Sequence, residues 1–283
     1  MDYIIREHGM TNVAITVAPL AQTYYDEVDQ FPAPERLAQE VIECCRAGAS
    51  VVHLHVIDER GNATVDTSNF QKTVRMIRAE CDIIIQGSTG GVSDLTRDQR
   101  SVSVEVPDVE MGSLNMGSCN VGEQAYINTP ADVEYWAAKM LANNVVAELE
   151  FFEPGMILMM DRLLEKSLIK RPLVANFALG FPGTLPATVD NIVFMVRRLP
   201  ADVVWMLTPH HARDFSLHAV SVALGGNVRV GFEDSMYLKP DRKASSNVEL
   251  VAKASELVEQ LGRRVATPAE TRRMYGIMSP QGT

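Results

Sequence analysis

Residues Ser50 to Val56 read Ser-Val-Val-His-Leu-His-Val. This short valine-rich run has the composition of a buried strand, yet it carries two histidines. Side chains on a strand alternate between faces, so His53 and His55 share one face and Leu54 takes the other. Two imidazoles side by side in an apolar setting need a partner. One reading supplies a divalent metal, for which imidazole is a common ligand and one further protein ligand completes a catalytic site. The other makes them core histidines hydrogen-bonded to backbone. The His-x-His spacing at the exit of a buried strand favours the metal.

On both sides of this strand the chain repeats one pattern. Asn12 to Leu20 predicts a first strand stopped by Pro19. After a polar loop, Pro34 opens a helix with Leu37, Val41, Cys44 and Cys45 on one stripe. The His-x-His strand is followed by a helix with Phe70, Val74 and Ile77 on one face. Further strands are predicted over Asp82 to Gln86, Val109 to Met116, Val145 to Phe151, Leu173 to Leu179, Asp202 to Leu207 and Val228 to Phe232. Helical stretches separate them, among them one with Val133, Trp136, Ala137 and Met140 facing inward, and a last one with Leu250, Val251, Ala254, Leu257, Val258 and Leu261. The run Asp-Ile-Ile-Ile-Gln is too uniformly apolar for a half-exposed strand and suits a parallel one covered on both faces. Eight strand–helix units without a composition shift match an α/β fold of the (β/α)8 barrel type. An open doubly wound sheet more often carries Gly-x-Gly-x-x-Gly after its first strand, where this chain has Val-Ala-Pro-Leu. The expectation is one barrel domain over residues 1–283 with short N- and C-terminal extensions.

Composition narrows the partners. With a formal net charge of −10 and a pI near 5.1, the chain is poorly suited to nucleic acid or an anionic membrane surface. Met1 to Gly9 carries charges where a signal peptide has its apolar core, and no apolar run approaches a membrane span, which predicts a cytoplasmic protein. The four cysteines, Cys44, Cys45, Cys81 and Cys119, show no Cys-x-x-Cys spacing and read as buried thiols.

In such barrels the chemistry sits at the carboxyl ends of the strands. The polar residues expected there are His53 and His55, Ser88, Ser113 and Asn115, Glu148 and Glu150, and Glu233 with Asp234. In the last strand, alternation puts Arg229, Gly231 and Glu233 on one face, where two charges inside a barrel are costly unless paired or used. Either Arg229 and a carboxylate merely close the barrel, or Glu233 is the third metal ligand beside the histidines. One of Glu148 and Glu150 would then hold a ligand histidine or Arg229 in place; the plain alternative is a solvated charge at the barrel mouth. Ser88 with Gly90 and Gly91 forms a turn whose amides and hydroxyl suit a carboxylate. His210 and His211 follow the seventh strand near the same rim, where loop histidines are often incidental, and His8 and His218 read as structural.

Taken in order, His53-Leu54-His55, Gln86-Gly87-Ser88-Thr89-Gly90-Gly91, Ser113-Leu114-Asn115-Met116-Gly117, Asn128-Thr129-Pro130-Ala131-Asp132, Glu150 with Gly155-Met156, and Gly231-Phe232-Glu233-Asp234 resemble the motifs of the β-keto acid cleavage enzymes. The resemblance runs from about Val13 to Ala266-Thr267-Pro268. It implies a zinc-dependent (β/α)8 barrel that converts a β-keto acid and acetyl-CoA, as co-substrate, into acetoacetate and a new acyl-CoA. It further implies a homo-oligomer, a tetramer, acting on small molecules. By position it gives His53, His55 and Glu233 as metal ligands; Ser88, Gly91, Ser113 and Asn115 as the residues holding the keto acid; and Asp234, Arg229 and Glu150 as catalytic groups. Two histidines and a carboxylate also suit nickel, cobalt or iron. Members acting on an amino-substituted keto acid carry a glutamate just after the first strand, where this chain has Pro19, which points to a different substrate. Two other enzyme classes compete. Amidohydrolase-type barrels carry His-x-His on the first strand with ligands on strands four to six, where this chain has neither histidine nor lysine. A metal-dependent aldolase differs chiefly in not requiring CoA. A barrel that only binds would keep costly buried charges without use.

Overall fold

The computed structural model describes residues 12–20 and 31–278; His8 and most of the polar loop after the first strand lie outside them. Eight parallel strands close into a barrel: β1 (Ile15–Val17), β2 (Val51–Leu54), β3 (Ile84–Gly87), β4 (Met111–Asn115), β5 (Val146–Phe151), β6 (Val174–Leu179), β7 (Val204–Pro209) and β8 (Asn227–Val230). Each pairs with its neighbours in sequence, and β8 pairs with β1 to close the ring. The eight expected strands are present, most trimmed by a residue or more at the ends. Asn12–Val13 lies outside the barrel, paired with Arg264–Val265.

Helices α1 (Pro34–Arg46), α2 (Ser68–Glu80), α3 (Arg97–Arg100), α4 (Pro130–Ala142), α5 (Ile157–Glu165), α6 (Val189–Val196), α7 (Ser216–Ala223) and α8 (Asn247–Gln260) follow the strands in turn. The inward residues expected on α2 and α4 are all buried. In α4, Pro130 occupies the first turn and Thr129 and Asp132 form a capping box, so that helix is set by local sequence. A ninth helix, α9 (Pro268–Tyr275), has the same start signal in Thr267, Pro268 and Glu270 and was not expected. Two hairpins, Cys119–Val121 with Gln124–Tyr126 and Tyr237–Lys239 with Arg242–Lys243, occupy stretches that read as loop. All four cysteines are free thiols, and only Cys44 is fully buried. No helix among the described residues is long and apolar enough to cross a membrane.

The core has two parts. The larger lies between strands and helices; the smaller contains Val51, Ile84, Met111, Val174 and Met206 with Tyr275 of α9. These strand residues are inward positions toward the amino ends, and they form an apolar floor. Two residues further along each strand, the inward positions are His53, Gln86, Ser113, Asn176 and Thr208, joined by Glu148 and Arg229. Period two thus stacks a polar layer directly above an apolar one.

Candidate active site

Above the polar layer a cavity of about 410 Å³ opens at the carboxyl ends of the strands, within the range of small-molecule sites. His53, on β2, and His55, just past it, stand on one side with their Nε2 atoms 3.2 Å apart. Glu233 completes the trio: Oε1 is 3.6 Å from His53 Nε2 and Oε2 is 3.3 Å from His55 Nε2. One potential ligand atom from each lies within 4.8 Å of the others.

Three observations test whether a cation fits. Two ring nitrogens at 3.2 Å repel if both present lone pairs, unless a proton or cation stands between them. Glu233 Oε2 is buried and accepts no hydrogen bond. The charges gathered here are one guanidinium, Arg229, against the carboxyls of buried Glu150 and Asp234 and half-buried Glu233. The donor set, its geometry and the surplus of negative charge all suit a divalent ion.

Glu233 and Asp234 arrive by a turn, not by the continued strand alternation expected. The strand ends at Val230, and Gly231 adopts φ +141°; its carbonyl accepts from the amides of Asp234 at 3.0 Å and Ser235 at 2.9 Å. A Cβ at Gly231 would lie 2.1 Å from the Ala18 carbonyl oxygen, so only glycine allows β8 and β1 to approach this closely. Both carboxylates thereby reach Arg229. Its Nε donates to Asp234 Oδ2 at 2.8 Å, Nη2 donates to Glu233 Oε1 at 2.6 Å, and Nη1 is 3.5 Å from Glu150 Oε1.

These contacts oppose burial. Burial pushes Asp234 up to about 6 while Arg229 pulls it down, and burial pushes Glu150 up to about 8 against the same guanidinium. For Glu233, burial also raises the pKa, but the charges of Arg229, His55 and His53 outweigh it and hold the carboxyl well below the usual range. Burial drives His53 down to about 3, so its ring is neutral.

A cluster of donors borders the same cavity. Asn115 is 1% exposed and its Nδ2 has no hydrogen-bond partner. Tyr126 Oη accepts from the Gly91 amide at 3.0 Å and from Arg100, and its own proton is left to donate; burial pushes its pKa well above the usual phenol range, so that proton stays on. Ser88 Oγ accepts from the Gly90 amide at 3.1 Å. The turn's amides are thus spent on side-chain oxygens, and the groups turned toward a ligand are hydroxyls and an amide NH2. Gly90 is required here because a Cβ would meet Tyr126 Oη at 2.8 Å and Asn115 Nδ2 at 3.2 Å. Ser113 is not part of the cavity wall. It is fully buried, and its Oγ accepts from the Thr89 amide at 3.2 Å.

The rest of the wall is mixed, with Thr64, Ser93, Gln99 and Gln124 beside an apolar stretch. Val56, Val121, Phe152 and Phe181 line it, and His210 stacks on Phe181 with ring centroids 3.7 Å apart. Burial lowers His210 to about 3, so it is a neutral aromatic surface. His211 faces elsewhere and does not line the cavity. Arg100, the other cation in the wall among the described residues, is engaged with Thr89, Ile127, Asn128 and Tyr126. Pro19 is buried with its carbonyl accepting from Asn247 Nδ2 at 3.2 Å.

Beneath the trio, His53 Nδ1 lies 2.6 Å from Gln86 Oε1, and Gln86 Nε2 donates to Glu148 Oε2 at 2.8 Å. Asn176 Nδ2 donates to Glu148 Oε1 at 3.0 Å and Thr208 Oγ1 donates to Asn176 Oδ1 at 2.8 Å. Glu148 is therefore the carboxylate behind His53, and Glu150 the one beside Arg229. The sequence reading overlooked Gln86, Asn176, Thr208 and Tyr126 as site residues. The first three were detectable as lone polar residues in otherwise apolar buried strands; Tyr126, in a hairpin, gave no signal.

A model of the beta-keto acid cleavage enzyme family matches residues 12–277. The chain is 37% identical over 245 residues to a 3-keto-5-aminohexanoate cleavage enzyme of Acetoanaerobium sticklandii, covering 86% of this chain and 89% of that one. It is 33% identical over 237 residues to a 3-oxoadipate:acetyl-CoA acetyltransferase of Cupriavidus necator, covering 82% and 83%. Among solved structures, the apo structure of ObcA superposes with a TM-score of 0.73 at 20% identity over 87% of this chain and 65% of that chain, a likeness of fold.

Proposed function

This chain belongs to the beta-keto acid cleavage enzyme family, and we propose that it takes a β-keto acid and acetyl-CoA and returns acetoacetate and a new acyl-CoA. The observation that carries the reading is the convergence of His53, His55 and Glu233 on one point of a cavity that also presents Arg229, Asp234 and the donors of Ser88, Asn115 and Tyr126.

His53, His55 and Glu233 would hold a divalent metal, Zn²⁺ in our reading. Such an ion, when bound, draws electron density from the keto oxygen and makes the neighbouring carbon more acidic. Ser88, Asn115 and Tyr126 hold the substrate carboxylate, with Gly91 shaping the turn and Ser113 bracing it from below. Asp234 takes a proton from the carbon between the two carbonyls. Arg229 fixes its orientation, and burial makes it a stronger base than an exposed aspartate. Glu150, raised by burial, keeps a proton that it can return. The resulting carbanion attacks the acetyl thioester, CoA passes from the acetyl carbon to the original keto carbon within the adduct, and the carbon–carbon bond between that keto carbon and the carbon that attacked breaks to leave acyl-CoA and the carbanion of acetoacetate, which takes up a proton. No covalent bond to a side chain is required.

The relatives' names span an amine and a second carboxylate, so neither substrate transfers directly. The apolar stretch of the wall with neutral His210, the uncharged polar side chains beside it, the engaged Arg100 and the buried Pro19 support a keto acid with an uncharged side chain. We read the protein as a cytoplasmic homo-oligomer, and its mass in light scattering is expected to exceed the 31.2 kDa of one chain.

The test is a mass-spectrometric assay of the zinc-loaded protein with acetyl-CoA and a panel of neutral, cationic and anionic β-keto acids. Acetoacetate and a matching acyl-CoA are expected, with neutral substrates preferred and kcat/KM falling more than about 100-fold in His55→Ala and Glu233→Gln. Release of an aldehyde or ketone without any acyl-CoA would replace this reading with an aldolase.

A further inference from the structure

The four side chains behind His53 form a chain with only one consistent direction. Both Glu148 oxygens face amide nitrogens, Gln86 Nε2 at 2.8 Å and Asn176 Nδ2 at 3.0 Å, so neither faces an acceptor for a proton, and these two bonds with the charge of Arg229 oppose the burial that raises the pKa of this carboxyl. The Gln86 amide is thereby oriented with its oxygen toward His53 Nδ1, 2.6 Å away. An amide oxygen only accepts, so Nδ1 carries the ring proton and Nε2 presents its lone pair toward His55 and Glu233. At the far end the Thr208 hydroxyl donates to Asn176 Oδ1 at 2.8 Å, which keeps the Asn176 amide turned the same way. All five residues are at most 2% exposed, so water does not substitute for any link.

We propose that Gln86 and Glu148 are positioning residues that hold His53 in the Nδ1–H tautomer and thereby set the affinity of His53, His55 and Glu233 for a divalent cation. The proposal rests on the reading of that trio as a metal site. The cost of the arrangement marks it as built: a carboxylate with no solvent access and two flanking amides are expensive in a barrel interior, and packing alone would be met by apolar side chains. Partners behind a ligand histidine fix its tautomer and raise its basicity, and their loss typically weakens metal binding about 10- to 100-fold.

Two measurements test it. In the metal-free, ¹⁵N-histidine-labelled parent, long-range ¹⁵N–¹H spectra are expected to show His53 as the Nδ1–H tautomer; the Nε2–H tautomer would overturn the proposal without any variant. Zn²⁺ affinity, read by competition with a chromogenic chelator, is expected to fall about 10- to 100-fold in Gln86→Leu, which removes the acceptor at nearly constant volume. The exchange variant Gln86→Glu/Glu148→Gln still offers an oxygen to His53 Nδ1 and leaves every donor an acceptor, so it is expected to regain the parent's affinity to within a few-fold. Equal affinity in Gln86→Leu and the parent, or an exchange variant as weak as Gln86→Leu, would reduce the two residues to structural roles. A parent that binds no zinc would instead refute the metal reading, while the tautomer spectrum still decides the orientation of the relay.

Discussion

Arg229 sets one positive charge against the carboxyls of Glu150 and Asp234, buried with it, and of the half-buried Glu233. Such a group is stable only with further positive charge or protons, and the site holds places for both. Asn115 illustrates the same exchange of stability for function. Its unpartnered Nδ2 costs the fold about 1–3 kcal/mol, a cost that a bound carboxylate would offset. Asn115→Ala is therefore expected to leave stability within about 1 kcal/mol of the parent while raising KM for the keto acid about 10-fold, by urea unfolding and steady-state kinetics. An unchanged KM would remove Asn115 from the binding site. His218 is structural, as its sequence context suggested: its Nε2 lies 3.1 Å from the Arg229 carbonyl. Burial lowers its pKa from 6.5 to about 4 against the pull of that bond and of Asp214. The unfolded chain then binds the proton first, so stability present above pH 6.5 is lost as the pH falls toward 4. At pH 5 the loss is on the order of 2 kcal/mol. His218→Gln is expected to lose that much less stability than the parent between pH 7 and pH 5; identical losses in urea titrations would contradict the assignment.

Among the elements, the end of β8 decides the site. Strand alternation does not carry Glu233 to its place beside Arg229: the turn at Gly231 returns both acidic residues to that guanidinium. Gly231→Ala would drive a Cβ into the Ala18 carbonyl. It is expected to cost more than about 3 kcal/mol and to abolish activity, as thermal unfolding and the acyl-CoA assay would report; a variant that kept full activity would mean the turn tolerates another path. The helices were more legible than the turns. Phe70, Val74 and Ile77, and likewise Val133, Trp136, Ala137 and Met140, are buried as their spacing indicates, because one face of a helix at 3.6 residues per turn is fixed before packing begins. The two hairpins escaped notice because their strands are short and mostly exposed, with no period to read.

For the barrel as a whole, chemistry and support occupy opposite ends. At the amino end, Arg272 of α9 donates to Glu110 at 2.6 Å and to Asp82 at 2.7 Å, just before β4 and β3, while Tyr275 fills the floor. Arg272→Met is expected to cost about 2–4 kcal/mol in urea unfolding, since Arg78 still pairs with Glu110, and to leave kcat within about twofold at a temperature where the variant is folded. A large fall in kcat with an intact fold would mean that the floor communicates with the mouth. The sequence by itself determined the number of barrel strands, the faces their side chains take within each strand and the histidine pair, because a period of two and the demand to bury apolar residues act locally. Only the closed ring decided that Gln86, Glu148, Asn176 and Thr208 would meet behind His53. Residues 28 to 62 positions apart become hydrogen-bond partners there because barrel closure aligns the inward positions of separate strands at one height.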